Sequence, residues 1–201
     1  RARDAGQDIS AELNPWALFL GNDWNNIVRL GSYALSYYIP EKNTQPLWDA
    51  LADGTIDIIS TDHGPHTKEE KEPGWTDGWK AHTGTPSAQF YVPLFLGAAV
   101  EGLISLERVV DLIATQPAKR FGLGRKGAVE PGRDADIAIV NLDTEFEITD
   151  DIVLSKIGYT PYAGRKTRAA VETTLVRGKV VYEHGKVVGQ PGWGRQARPS
   201  A

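Results

Sequence analysis

The sequence predicts an α/β fold in which a parallel strand, helix, strand unit is followed by an antiparallel β segment. Three observations carry this. Thr55-Ile56-Asp57-Ile58-Ile59 is β-branched and too short for a helix, so it reads as a buried strand of the parallel-sheet kind. A second strand over residues 8–13 and a helix over residues 44–52 precede it, and strands separated by a helix pair in parallel. From residue 135 onward the apolar period changes from helical to two, with tight Gly turns at Arg177-Gly178 and His184-Gly185.

Each element has its own signal. Residues 1–6 read as the end of a helix stopped by Gly6. After the strand at 8–13 comes an aromatic, Asn-rich loop. Thr44 then serves as N-cap, Pro46 lies in the first turn, Leu47, Trp48 and Leu51 share one side, and Asp53-Gly54 closes the helix. Residues 63–86 have no helical or alternating pattern and read as a long loop, of a length usually found in functional lids or disordered segments. SAQFYVPLFLGAAV, residues 87–100, is apolar nearly all round and predicts a buried, irregular helix bent by Pro93. Ser105 caps an amphipathic helix whose buried face is Leu106, Val109, Val110 and Ile113, and Gly122 ends it. The β segment then comprises residues 135–142, 146–149 and 169–188, and the boundary near 122/123 divides residues 1–122 from residues 123–201. The closing QPGWGRQARPSA lacks periodicity and is expected to be extended or frayed.

Composition narrows the function classes. The 201 residues include 41% apolar types, 22 basic and 26 acidic side chains for a net charge of −4, and no cysteine. No disulfide framework or thiolate metal site is available, so any metal must use His, carboxylate or donors supplied from elsewhere. Charge of this sign without basic blocks argues against nucleic acid as a partner. With no apolar run near 18 residues and no secretory segment, neither a membrane span nor export is expected, and a cytoplasmic location is the default. The chain holds no methionine and opens as though within a helix, so it is expected to be a fragment.

Ile59-Ser60-Thr61-Asp62-His63-Gly64-Pro65-His66-Thr67 places one acid and two histidines at the carboxyl end of the predicted second strand. Strand ends of that kind line the mouths of α/β sites. A carboxylate there can ligate a divalent metal or shuttle a proton, and a histidine can ligate, donate or bind an anion. By position alone Asp62 could equally be a cap or turn residue.

GTIDIISTDHGPHT, with LWDALADG before it and GTPSAQ, LERVVDLIATQPAKRFGL, KGAVEPGRDADIAIVNL and YTPYAGRKTRAAVETTLVRGKVVYEHGKV after it, resembles the cyclic amidohydrolases. That group contains dihydroorotase, allantoinase, hydantoinase and dihydropyrimidinase. The likeness covers most of the chain. It implies the carboxyl-terminal part of a metal-dependent (β/α)8 TIM barrel, followed by a small antiparallel β-sandwich built from both ends of the whole protein. It further implies two divalent metals, usually zinc, held by four histidines, a carboxylated lysine and an aspartate. Only the aspartate has a counterpart here, Asp62; the other ligands belong to earlier strands.

Carried over residue by residue, the resemblance makes Asp62 both a metal ligand and the general base that passes a proton to the leaving amide nitrogen. His66 would help hold a substrate carboxylate, with the backbone of Gly84, Thr85 and Pro86 completing the pocket. His63, by its place next to the base, reads as a residue that supports it or simply packs. His82, in the long loop, reads as a solvated residue or one facing the mouth of the site, and His184, in a hairpin turn, as a surface residue. Where the dihydroorotases carry Asn-Pro-Pro-Leu-Arg, this chain has Arg29-Leu30-Gly31-Ser32-Tyr33-Ala34-Leu35, with Arg29 left as a candidate for an acidic substrate. Trp16, Trp24, Tyr33, Tyr37 and Tyr38 could wall a flat ring or simply pack. The expected function is hydrolysis of a cyclic amide or ureide by a dihydroorotase-like enzyme that is a dimer or tetramer when full length. Hydantoinase, allantoinase or dihydropyrimidinase specificity is the alternative within the group, and a non-catalytic scaffold is the alternative outside it. Alone, a chain with an open sheet edge is expected to be poorly soluble.

Overall fold

The computed structural model describes residues 2–20, 24–34 and 43–199. Its first strand, β1 (Glu12–Leu13), is shorter than the expected 8–13, because the backbone of Ile9 turns back on Gln7 and only residues 11–13 find a partner. That partner is β2 (Ile58–Ile59), which runs parallel with Glu12 opposite Ile58 and Leu13 opposite Ile59. Both β2 residues are buried, as an apolar parallel strand requires. Ahead of β1, Gln7 N–H bonds Ala2 C=O and Gly6 N–H bonds Arg3 C=O, with Gly6 at φ 79°. These are the bonds of a glycine-terminated helix end, so Gly6 closes the turn as its sequence suggests.

Among the described residues three α-helices separate the paired strands: α1 (Trp16–Phe19), α2 (Trp24–Leu30) and α3 (Thr44–Ala52). The bounds of α3 match the expected helix, but Asn43 rather than Thr44 holds the cap position, with no side-chain cap hydrogen bond among the described residues. Trp48 and Leu51 are buried as predicted. Trp48 meets Phe19 of α1 at 5.7 Å and Phe95 of α5 (Tyr91–Val100) at 5.8 Å, and Phe19 meets Phe95 at 5.2 Å, all edge to face. Each such ring pair adds about 1 kcal/mol beyond its buried area. Trp16 packs against this core rather than walling a cavity. The side chain of Trp24, and Tyr37 and Tyr38 altogether, lie outside the described residues.

The segment expected to be an unstructured loop is locally folded. It contains α4 (Lys68–Lys71) and two 3-10 turns, Glu72–Trp75 and Gly78–Lys80. Helix α5 starts at Tyr91 rather than Ser87, so Pro93 falls in its first turn, where a missing N–H breaks no bond and no bend is required. Ser105 caps α6 (Leu106–Val110) by accepting from Arg108 N–H at 3.1 Å. A π turn, Asp111–Thr115, joins α6 to α7 (Gln116–Arg120). That extra residue, and the Arg108 guanidinium reaching Leu51 C=O and Ile56 C=O at 2.7 Å each, rotate the buried face. Val109 and Leu112 are therefore the fully buried pair, whereas Val110, expected inside, is 47% exposed.

The β segment forms as read, though its strands are shorter. Antiparallel β3 (Ile137–Asn141), β6 (Ala170–Val176), β7 (Lys179–Glu183) and β8 (Lys186–Val187) lie side by side in that order, and β4 (Phe146–Glu147) pairs with β5 (Lys166–Thr167). Both hairpin turns put two successive residues at positive φ, Arg177 and Gly178 at 47° and 76°, His184 and Gly185 at 46° and 82°. Such turns match the twist of the strands they join. The tail is not wholly frayed: Trp193 donates to Val176 C=O at 2.8 Å and lies under the cations of Arg177 and Lys179. One hydrophobic core unites Leu94 and Phe95 of α5 with Ile148, Tyr162 and Ala169 from the β segment. No described helix is long and apolar enough to cross a membrane.

Candidate active site

The site begins where β2 ends. Asp62 lies three residues beyond Ile59, exposed, with its backbone at φ 44°. Among the described residues, the other non-glycine positions at positive φ, Arg177 and His184, are accounted for by hairpin turns; Asp62 is not in one. Aspartate tolerates this conformation better than most residues, and its cost is characteristic of side chains aimed for a purpose. Asn14, just past β1, links the two strand ends: its amide nitrogen lies 3.4 Å from Asp62 Oδ2, and its carbonyl accepts from Ser60 Oγ at 3.1 Å. Both parallel strands thus deliver a polar residue to the same rim.

Beside Asp62 the chain meets a strap of residues 82–88. His63 and Thr85 form a parallel bridge, and Gly64 N–H donates to Thr85 C=O at 3.2 Å. The crossing demands glycine twice. A Cβ on Gly64 would sit 2.7 Å from the Gly84 α-carbon, and Gly84 has φ 125°. His63 Nδ1 accepts from the backbone amides of Ser87 at 3.0 Å and Ala88 at 3.1 Å, just ahead of α5. Desolvation holds its pKa below the usual histidine value, and two N–H donors aimed at Nδ1 oppose protonation of that nitrogen in the same sense. The neutral ring therefore carries its proton on Nε2.

Thr67 and Glu70 form a reciprocal capping box at the start of α4: Glu70 N–H donates to Thr67 Oγ1 and Thr67 N–H donates to Glu70 Oε2. The same Glu70 oxygen lies 3.5 Å from His66 Nδ1. Backbone hydrogen bonding from Thr67, then the nearby His66 and His82, hold the Glu70 carboxyl below its usual range against opposing desolvation. The His66 ring lies against that of His82, centroids 4.9 Å apart, so His82 is exposed but not isolated. A Cβ on Gly84 would come 3.5 Å from His66 Cδ2, which brings His66, His82 and Gly84 together. Thr85 and Pro86 are buried behind them.

Tyr159 donates to His66 C=O at 3.0 Å, and its ring and that of Tyr33 flank the ammonium of Lys68 at 5.5 and 5.9 Å. Burial drives the Tyr159 phenol up to about 12. Arg29 is occupied elsewhere, donating to Pro161 C=O at 3.0 Å. His184 sits exposed in its hairpin.

Three participants escaped sequence reading. Asn14 stands after a strand as Asp62 does, so the same rule could have found it. The Thr67-x-x-Glu70 spacing is itself a helix-start signature. Lys71, in a run of charges, gives no signal of burial, yet it is 0% exposed.

Metal binding meets a clear test. Among the described residues no three His, Asp or Glu side chains converge to hold an ion. A closed zinc shell needs four ligands, and a catalytic one three plus water. Asp62 offers one carboxylate, so the donors among the described residues do not fit a metal centre by themselves.

Comparison with known proteins identifies the family of the chain. The Amidohydrolase family profile matches residues 18–181. The chain is 37% identical over 200 residues to an L-hydantoinase of Paenarthrobacter aurescens, covering 97% of this chain and 43% of that protein. It is 40% identical over 183 residues to a dihydroorotase of Halobacterium salinarum, covering 89% of this chain and 42% of the relative. The solved L-hydantoinase of Arthrobacter aurescens superposes with a TM-score of 0.91 at 35% identity, over 98% of this chain and 44% of that one. A dihydropyrimidinase from Brevibacillus agri gives 0.90 at 30% identity, over 99% and 44%. The chain therefore spans under half the length of the relatives it matches, and it belongs to the amidohydrolase family, within the cyclic amidohydrolase group that includes hydantoinases and dihydroorotases.

Proposed function

We propose that this chain is the carboxyl-terminal portion of a hydrolase that opens a cyclic amide or ureide at its C–N bond. Residues 1–122 would be the last part of a (β/α)8 barrel and residues 123–201 its β-sandwich. The observation that carries the reading is Asp62: an exposed carboxylate, in a costly backbone conformation, at the carboxyl end of a parallel strand and beside a glycine-built crossing with the 82–88 strap.

In this reading Asp62 takes a proton from the attacking water and returns it to the ring nitrogen as the C–N bond breaks, so the carboxylate is regenerated. Asn14 orients the acid. His66, backed by Glu70, and the backbone of Gly84, Thr85 and Pro86 hold the substrate's acidic or carbonyl group. His63 supports the acid by locking the strap against its own loop. A divalent cation, with zinc the first candidate, would take Asp62 as one donor, the others coming from outside this chain. The full-length protein would be a cytoplasmic dimer or tetramer.

Two ring types compete. Dihydroorotate is favoured by the match to dihydroorotases at 35–40% identity. Hydantoin-type rings are favoured by the 29–35 stretch, which lacks the dihydroorotase pattern, and by Arg29 being engaged at Pro161. Assay of the full-length protein on dihydroorotate, hydantoin, allantoin and dihydrouracil, with metal analysis, decides between them. Turnover of none of the four by metal-replete protein would refute the proposal.

A further inference from the structure

We propose that Lys71 is a positioning residue: its buried Nζ fixes the course of the 82–88 strap and thereby the place where substrate is held, an inference that rests on the hydrolase reading above. The side chain is 0% exposed, yet among the described residues it has no carboxylate partner. Its Nζ instead donates to His82 C=O at 3.0 Å and Gly84 C=O at 2.6 Å. Its own carbonyl accepts from the buried Ser32 hydroxyl.

Burying an ammonium without a counter-ion is unfavourable, and an apolar residue of similar volume would serve packing better. What the amine supplies that a methyl group cannot is the simultaneous capture of two carbonyls two residues apart. The second belongs to Gly84, the strap residue whose φ of 125° lies outside the range that residues with side chains adopt readily. Capturing that carbonyl holds the backbone in the conformation from which Thr85 C=O reaches Gly64 N–H and the amides of Ser87 and Ala88 reach His63. Lys71 is thus the first of a series of anchors that tie the strap to the loop carrying Asp62 and His66. It also sets where the His82 ring meets that of His66.

The test uses the full-length protein with Lys71→Met and Lys71→Gln, the latter keeping N–H donors without the charge. Two readouts are taken at a temperature where all forms are folded by circular dichroism: steady-state kinetics on the ring the parent opens, and hydrogen exchange of the amides of residues 84–88 without substrate. The expected result for Lys71→Met is a KM raised at least tenfold with kcat within about threefold, together with faster exchange confined to the strap. Lys71→Gln should recover much of both. Unchanged strap exchange in Lys71→Met would overturn the proposal, as would faster exchange with parental KM. If the parent opens no ring, the hydrolase reading fails separately, and exchange alone decides whether Lys71 anchors the strap. If Lys71→Met does not fold, Lys71→Gln decides: slower strap exchange than in a Gly64→Ala control supports the anchor, and exchange as fast as the control overturns it.

Discussion

Lys71→Met makes a pH-dependent stability prediction that can be worked through from the structure. Burial lowers the Lys71 pKa from 10.5 to about 8. The native state must hold an unfavourable ammonium below pH 8, whereas the unfolded chain keeps its proton up to 10.5. Between those values the unfolded state binds more protons, so the stability of the parent rises with pH. The shift corresponds to roughly 3 kcal/mol at about 1.4 kcal/mol per unit, an upper figure because the two carbonyls offset part of the cost. A neutral amine still has two N–H donors, so the strap contacts survive the titration. Tyr159, raised to about 12 by burial, acts in the opposite sense above pH 10, but it is common to both proteins and cancels in the difference. Urea unfolding at pH 7.5, 9 and 10.5 should show the parent gaining up to about 3 kcal/mol relative to Lys71→Met across that range. Parallel stability curves would refute the account of Lys71 as a buried, unpaired cation.

Other perturbations test the rim and its supports. Gly64→Ala forces a methyl to 2.7 Å from the Gly84 α-carbon, and because backbone must move it should cost about 1–3 kcal/mol by thermal unfolding and separate loop from strap. His63→Leu removes the acceptor of two backbone amides and should cost on the order of 1 kcal/mol. Since the folded His63 has a depressed pKa, the parent should lose stability as pH falls below about 6.5 through its folded value, a loss absent from the variant and measurable by denaturant titration. Ser105→Ala deletes the cap on Arg108 N–H and should lower stability by about 1 kcal/mol.

What the sequence made legible was what short-range chemistry decides. The β-branched run ending at Ile59 located β2 and hence the rim residue Asp62, and positive φ at Arg177 and His184 followed from paired turn positions next to glycine. Ser105 announced its helix because a cap is a local bond. The misreadings share a different origin. Val110, expected inside, is exposed and Leu112 is enclosed; a π turn and the reach of Arg108 to α3 accompany this shift, and neither is written in the spacing of apolar residues. Lys71 sits in a charge run that reads as solvated, and only the fold of residues 63–86 reveals that it is enclosed. Asp62 could be named from its place after a strand. Its conformation, its link to Asn14 and the crossing of Gly64 with Gly84 needed the tertiary structure.

Ring opening by Asp62→Asn in the full-length protein, compared with the parent under saturating metal, probes the proposed chemistry most directly. Loss of the proton acceptor with its shape retained should lower kcat by about 10²–10⁴-fold while the fold melts as before. Turnover at the parental rate would contradict the assignment of that carboxylate as the base.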